Sequence, residues 1–120
     1  MFGLSTDTGV SPLLYLNMEY AWYFDSTGTI QVYESGTSMG SFGAYTTSTI
    51  LTITNDGFRV KYFKDGVNVY TSTSVPSSSV AYKFYSAYEA TSQTSGLTNV
   101  TYAPMGPVAT LSWTPVLCAL

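Results

Sequence analysis

The side chains here that could do chemistry are seven carboxylates, one thiol, four cations and eleven tyrosines, and there is no histidine. Without imidazole the chain has no Ser-His-acid or Cys-His catalysis, no histidine metal ligand and no histidine pH switch. Cys118 has no base near it in sequence and reads as a small apolar residue of a final strand. No glycine-rich phosphate loop followed by lysine occurs.

Carboxylate pairs are the remaining catalytic option, because glycoside hydrolysis needs two acids about 5 to 5.5 Å apart for retention, or about 6.5 to 9.5 Å for inversion. On one strand that spacing means residues two or four apart on a single face. The acids are Asp7, Glu19, Asp25, Glu34, Asp56, Asp65 and Glu89, and no two lie closer than six positions. A pair assembled across strands is the only route left to a hydrolase, with Glu34 and Asp25 as the residues to replace. The same scatter argues against a metal cage, although backbone carbonyls could complete a calcium site around Asp7 or Asp25. The expectation is a protein that is not an enzyme and uses no metal or cofactor.

Three of the four basic residues, Arg59, Lys61 and Lys64, fall within "FRVKYFKDGVNVY". Arg59 and Lys61 alternate with Val60 and Tyr62, so the basic residues fall mainly on the solvent side of a half-buried strand, where lysine also discourages edge-to-edge pairing; a functional basic patch is the alternative. Net charge is −3 and charged residues make up only 9% of the chain, so neither a phosphate backbone nor an anionic lipid surface is attracted. Nucleic acid and membrane insertion are not expected as partners.

The chain has 120 residues, enough for one core, and no composition shift marks a boundary. It reads as a single β-sandwich domain over 1–120. The single cysteine excludes an intrachain disulfide, no apolar run reaches the length of a membrane span, and the first residues do not look like a leader. The sequon at Asn99 is a short motif that chance supplies often.

Apolar spacing of three and four is missing, while period-two alternation recurs. In "EYAWYFD", Tyr20, Trp22 and Phe24 oppose Ala21, Tyr23 and Asp25; after "DSTG", Ile30 and Val32 oppose Gln31 and Tyr33. A second hairpin sets Leu51 and Ile53 before a turn at Asn55-Asp56-Gly57, and Asp65-Gly66 returns the chain through "VNVYTST". Then "VAYKFYSAY" sets Val80, Tyr82, Phe84 and Tyr88 against Ala81, Lys83 and Tyr85, and "LTNVTYAPMG" and "VATLSWTPVL" give two short extended pieces. The fold class is therefore all-β, an antiparallel two-sheet sandwich or jelly roll.

Aromatic residues reach 16%, and most alternate into strands as core or cross-strand pairs. Tyr23, Tyr33, Tyr45, Tyr70 and Tyr85 fall on polar faces or in loops, where a flat ring with a hydroxyl handle suits a sugar. They are the candidate glycan-binding residues.

In this order, "MFGLSTD", "MEYAWYFDSTGTIQVYESG", "LTITNDGFRVKYFKDGVNVYT" and "NVTYAPMG" resemble a concanavalin A-like, laminin-G-like jelly-roll module, over Met1 to about Gly106. Such modules recur in phage tail-fibre, host-specificity and other viral surface proteins. The resemblance implies display on a virion surface or another extracellular site, often with glycan or receptor contact. Two departures stand out. In such modules "FGLS" is an internal strand, so the expectation is a sandwich lacking its N-terminal strands here, as the C-terminal part of a longer chain or completed by a neighbour. The acid cluster of the related glucanases is also missing. The resulting expectation is a structural or attachment module of a virion surface, packed with copies of itself as a homo-oligomer, a trimer first, or with neighbouring virion proteins, and touching a cell-surface glycan. The alternative is a carbohydrate-binding module of a secreted or cell-surface protein.

Overall fold

The structure is a computed structural model that describes residues 1–7, 15–87, 97–103 and 118–119. The chain falls into two compact units, Met1–Tyr88 and Glu89–Leu120. In the first unit a five-stranded antiparallel sheet has the order β4-β3-β2-β1-β8, from β1 (Phe2–Ser5), β2 (Tyr20–Phe24), β3 (Thr29–Glu34), β4 (Thr37–Ala44) and β8 (Lys83–Ser86). A three-stranded antiparallel sheet orders β5 (Leu51–Asn55), β6 (Val60–Lys64) and β7 (Val67–Thr71) side by side. The second unit contains the antiparallel pair β9 (Thr101–Tyr102) and β10 (Cys118–Ala119). Among the described residues the one helical element is a 3-10 turn at Tyr15–Asn17. The protein is all-β, and its two larger sheets are consistent with a sandwich. Tyr88 and most of the last two extended pieces lie outside the described residues.

Alternation decides what is buried. Tyr20, Trp22, Ile30 and Val32 from the large sheet meet Val60 and Tyr62 from the small one in a single core cluster. Trp22 and Tyr62 cross edge to face at 5.4 Å, and the Trp22 indole donates to the Thr52 carbonyl at 3.3 Å. Each fully buried aliphatic side chain contributes about 1.5–3 kcal/mol by leaving water, and the edge-on aromatic pair adds about 0.5–1.5 kcal/mol. Phe2, Leu4, Phe24, Met39, Phe42 and Leu51 pack around this cluster. Gly3 sits opposite Ala21, and a Cβ there would meet the Tyr20 carbonyl oxygen at 2.0 Å, so β1 and β2 approach as closely as they do only because the residue is glycine.

Two connections are two-residue turns with both central residues at positive φ: Ser35-Gly36 (47° and 82°) between β3 and β4, and Asp65-Gly66 (49° and 82°) between β6 and β7. This is the backbone of a type I′ turn, whose twist matches its strands. The Asn55-Asp56-Gly57 turn is longer than a primed two-residue turn. Strand pairing stops at Asn55↔Val60, and the Asp56 carboxylate accepts from the Phe58 and Arg59 amides at 2.8 Å. Only Gly57 there has positive φ, at 88°.

The folded chain adds one strand that alternation does not show and changes two placements. β4, the longest strand at 8 residues, runs through "TSMGSFGA", where glycine and serine conceal any alternation. Two register shifts against β3 account for its irregular pattern, with Gly40 and Gly43 at positive φ. Lys64 is not on the solvent side with Lys61: its ammonium donates to the carbonyls of Phe42 and Ala44 at 3.2 and 2.7 Å, tying the small sheet to the last residues of β4. Val80 lies before β8 and is exposed.

Candidate functional site

A cleft of about 390 Å³ opens in the first unit, lined by residues from six places in the chain. Glu19 and Tyr20 come from the start of β2, Thr6 from just after β1, and Glu34 and Ser35 from the end of β3. Met39 comes from β4, Ser74, Val75 and Ser77 from the segment after β7, and Tyr82 from just before β8.

Glu34 reaches the core by the same alternation that buries Ile30 and Val32, and it is 5% exposed. A buried carboxylate needs donors. Two come from the other sheet and its continuation: the Tyr62 hydroxyl at 3.2 Å to Oε1 and the Ser72 hydroxyl at 3.0 Å to Oε2. Ser72 is held by its own amide, which donates to the Val60 carbonyl at 2.8 Å. Burial pushes the Glu34 carboxyl up from its ordinary range, and the Ser72 and Tyr62 hydrogen bonds partly offset that rise.

Glu19, at the rim, accepts from the Thr6 amide at 3.1 Å and from the Thr6 hydroxyl, which fixes the chain leaving β1. Tyr20 and Tyr82 stand 5.8 Å apart. Burial foremost, then neighbouring Tyr82 and Glu34, pushes the Tyr20 hydroxyl up to about 12. Tyr62 is raised too, by burial first and then by the Glu34 charge. At neutral pH both stay protonated, and the Tyr62 hydroxyl donates to Glu34. The Tyr82 hydroxyl accepts from the Ser77 amide at 2.8 Å, which pins the loop that forms one wall.

The five tyrosines singled out from the sequence do not share one surface. Tyr23 and Tyr33 stack at 4.8 Å, half-buried, on the face of the large sheet turned away from the core. Tyr85 is in register with Gly3, and so through Ala21 with Tyr33; its hydroxyl donates to the Asp7 carbonyl at 2.9 Å. Tyr45 meets Phe24 edge-on at 5.1 Å, and Tyr70 packs on Tyr62 and Phe42, so both belong to the margin of the core. Register irregularities displace them: Tyr45 follows the doubly shifted β4, and Tyr70 sits beside the shift between Tyr62 and Phe63.

The acids behave as fold elements. The Asp25 carboxylate accepts from the Thr27 amide at 2.9 Å, the Thr27 hydroxyl at 2.6 Å and the Thr29 amide at 3.0 Å. These bonds, the Thr27 hydroxyl first, hold its pKa below the ordinary value. Asp56 is lowered in the same way by the Arg59 and Phe58 amides. No group of three or more metal-ligating acids or thiols forms among the described residues.

Glu34 was the residue that sequence reasoning undervalued. The signal was present, since Ile30, Val32 and Glu34 continue one period-two face. The partners Tyr62 and Ser72 lie 28 and 38 positions away, and no local pattern points to them. Compared with protein-family models, curated proteins and solved structures, the chain matches none. Fold and site together define an all-β chain with two facing antiparallel sheets and a hydroxyl-rich, acidic cleft.

Proposed function

We propose that this chain is a non-enzymatic attachment module of an external assembly, a virion surface first, and that it contacts glycans through the cleft. The cleft carries the reading: Thr6, Tyr20, Ser35, Ser74, Ser77 and Tyr82 place hydroxyls around a hollow with two carboxylate acceptors and the apolar side chains of Met39 and Val75. A sugar presents the matching set, hydroxyls to donate and accept and a C–H face to lie on apolar surface. The roles of the acids support binding over hydrolysis, because Glu34 is tied to Tyr62 and Ser72, and Glu19 to Thr6. The low charge, the hydroxyl-rich surface and the resemblance to viral jelly-roll modules support the assembly part. So do the edges β4, β8, β5 and β7, which pair with no further strand among the described residues and which another copy could cover.

The cleft equally favours a second reading, a carbohydrate-binding module of a secreted or cell-surface protein. A glycan array probed with the intact protein, with Val75→Trp filling the cleft mouth, tests the shared part. Binding that is lost in the variant is the expected result; no binding, or binding that the variant leaves intact, overturns it. Native mass spectrometry then separates the readings: a stable oligomer supports the assembly, and a sugar-binding monomer supports the second module. Release of reducing ends from a bound polysaccharide, lost on Glu34→Gln, overturns the non-enzymatic reading.

A further inference from the structure

The charge balance of the cleft narrows what it can hold. Its two formal charges are both negative, Glu19 and Glu34. The chain has four Lys and Arg residues in all, each among the described residues, and none lines the cleft. Arg59 is exposed in the β5–β6 loop, where its guanidinium donates to the Phe58 carbonyl at 3.3 Å. Lys61 alternates with the buried Val60 and Tyr62 and so points away from the core. The ammonium of Lys64 is engaged by the Phe42 and Ala44 carbonyls. Ala44 pairs with Thr29, five positions along β3 from Glu34, or about 17 Å at the rise of a strand. Lys83 follows Tyr82 in sequence, but it is exposed and falls on the opposite face of β8 from Phe84, which packs on Phe2.

We infer that the cleft is selective for uncharged glycans and rejects those bearing sialic acid, uronate or sulfate at the bound residue. This rests on the cleft being the glycan site. A neutral sugar hydroxyl can donate to Glu19 or Glu34, and the surrounding hydroxyls can answer its oxygens. An anionic substituent would give up water beside two like charges and find no cation in return. Burial of Glu34 at 5% exposure reduces the screening of its charge.

The test is calorimetric titration of the intact protein with matched oligosaccharide pairs, identical except for a terminal sialic acid or a sulfate. Neutral members are expected to bind at least tenfold tighter. Val75→Lys puts a cation at the rim on a side chain already 70% exposed, so the fold is not challenged, and it should shrink that preference severalfold. Glu19→Gln should shrink it too, while Lys83→Ala should not change it. Equal or tighter binding of the acidic member overturns the selectivity and leaves the glycan site standing. A preference that Val75→Lys and Glu19→Gln both leave intact overturns its electrostatic origin. If no glycan of either kind binds, the glycan reading of the cleft falls, and the selectivity with it.

Discussion

Tyr62 of the three-stranded sheet donates its hydroxyl to the carboxylate of Glu34 on the five-stranded sheet at 3.2 Å, both side chains being buried. This polar bond crosses between two apolar sheet faces. It does so with no basic residue as a third member, so the charge on Glu34 is balanced by hydroxyls alone. Tyr62→Phe is expected to cost about 1–3 kcal/mol, the penalty of leaving a buried acceptor short of a donor. Chemical denaturation at neutral pH measures it. A loss within a few tenths of a kcal/mol would mean water replaces the hydroxyl freely.

Glu34 also sets a pH dependence. Its folded pKa lies above the unfolded value, so between the two the folded state binds more protons, and its contribution to stability falls as pH rises through that window. Relative to Glu34→Gln, whose amide mimics the protonated acid, the wild type should gain stability as pH drops from 8 toward the ordinary carboxyl value of 4.5, then level off. Asp25 and Asp56 act oppositely: their lowered values stabilise above 3.8, and that stability is lost on further acidification. Denaturant midpoints of both proteins across pH 3 to 8 would show a difference curve rising toward acid. A flat curve would mean Glu34 is as well solvated folded as unfolded.

Lys64 and Lys61 sit three positions apart on the same strand but do different work. Lys64→Met removes a charge-assisted donor from two carbonyls and should cost about 1–3 kcal/mol. Lys61→Met, with its side chain on the outer face of the small sheet, should stay within about 0.5 kcal/mol. Thermal melts of the two variants decide it, and equal effects would return Lys64 to the solvent side.

Gly3→Ala should be more damaging than its single methyl implies. The added carbon would meet the Tyr20 carbonyl oxygen at 2.0 Å, a backbone atom with no freedom to step aside. β1 must then separate from β2, at a cost of about 1–3 kcal/mol or more. Gly28→Ala, where nothing lies within 4 Å but φ is +83°, isolates the backbone-strain part at about 1 kcal/mol. Comparable losses at both positions would show that β1 has room to relax.

Much of the first unit follows from local sequence. Ile30, Val32 and Val60 alternate with polar neighbours, and Tyr20, Trp22 and Tyr62 follow the same period of two, although Ala21 between the first two is buried as well; a strand with one face against a core must place these side chains there, because a slip by one residue would expose them all. Asp65-Gly66 marks its turn because few residue pairs tolerate two successive positive φ angles. β4 was illegible, since Gly40 and Gly43 carry no side chain to show a face, and its register is set by bulges against β3. Lys64 shares the Val60 and Tyr62 face by alternation, but nothing local tells that its ammonium reaches the Phe42 and Ala44 carbonyls at the margin of the core. The cleft is the extreme case. Hydrophobic periodicity is a property of neighbours in sequence and is written locally, whereas Glu19, Glu34 and Tyr82 meet through the strand order of the large sheet, and Ser74 joins them from the segment after β7. The sequence by itself determined an all-β chain, its main core faces and the absence of histidine chemistry. Tertiary structure decided which carboxylate is buried, which lysine ties the sheets together and where a ligand could enter, because each depends on side chains brought together across long stretches of chain.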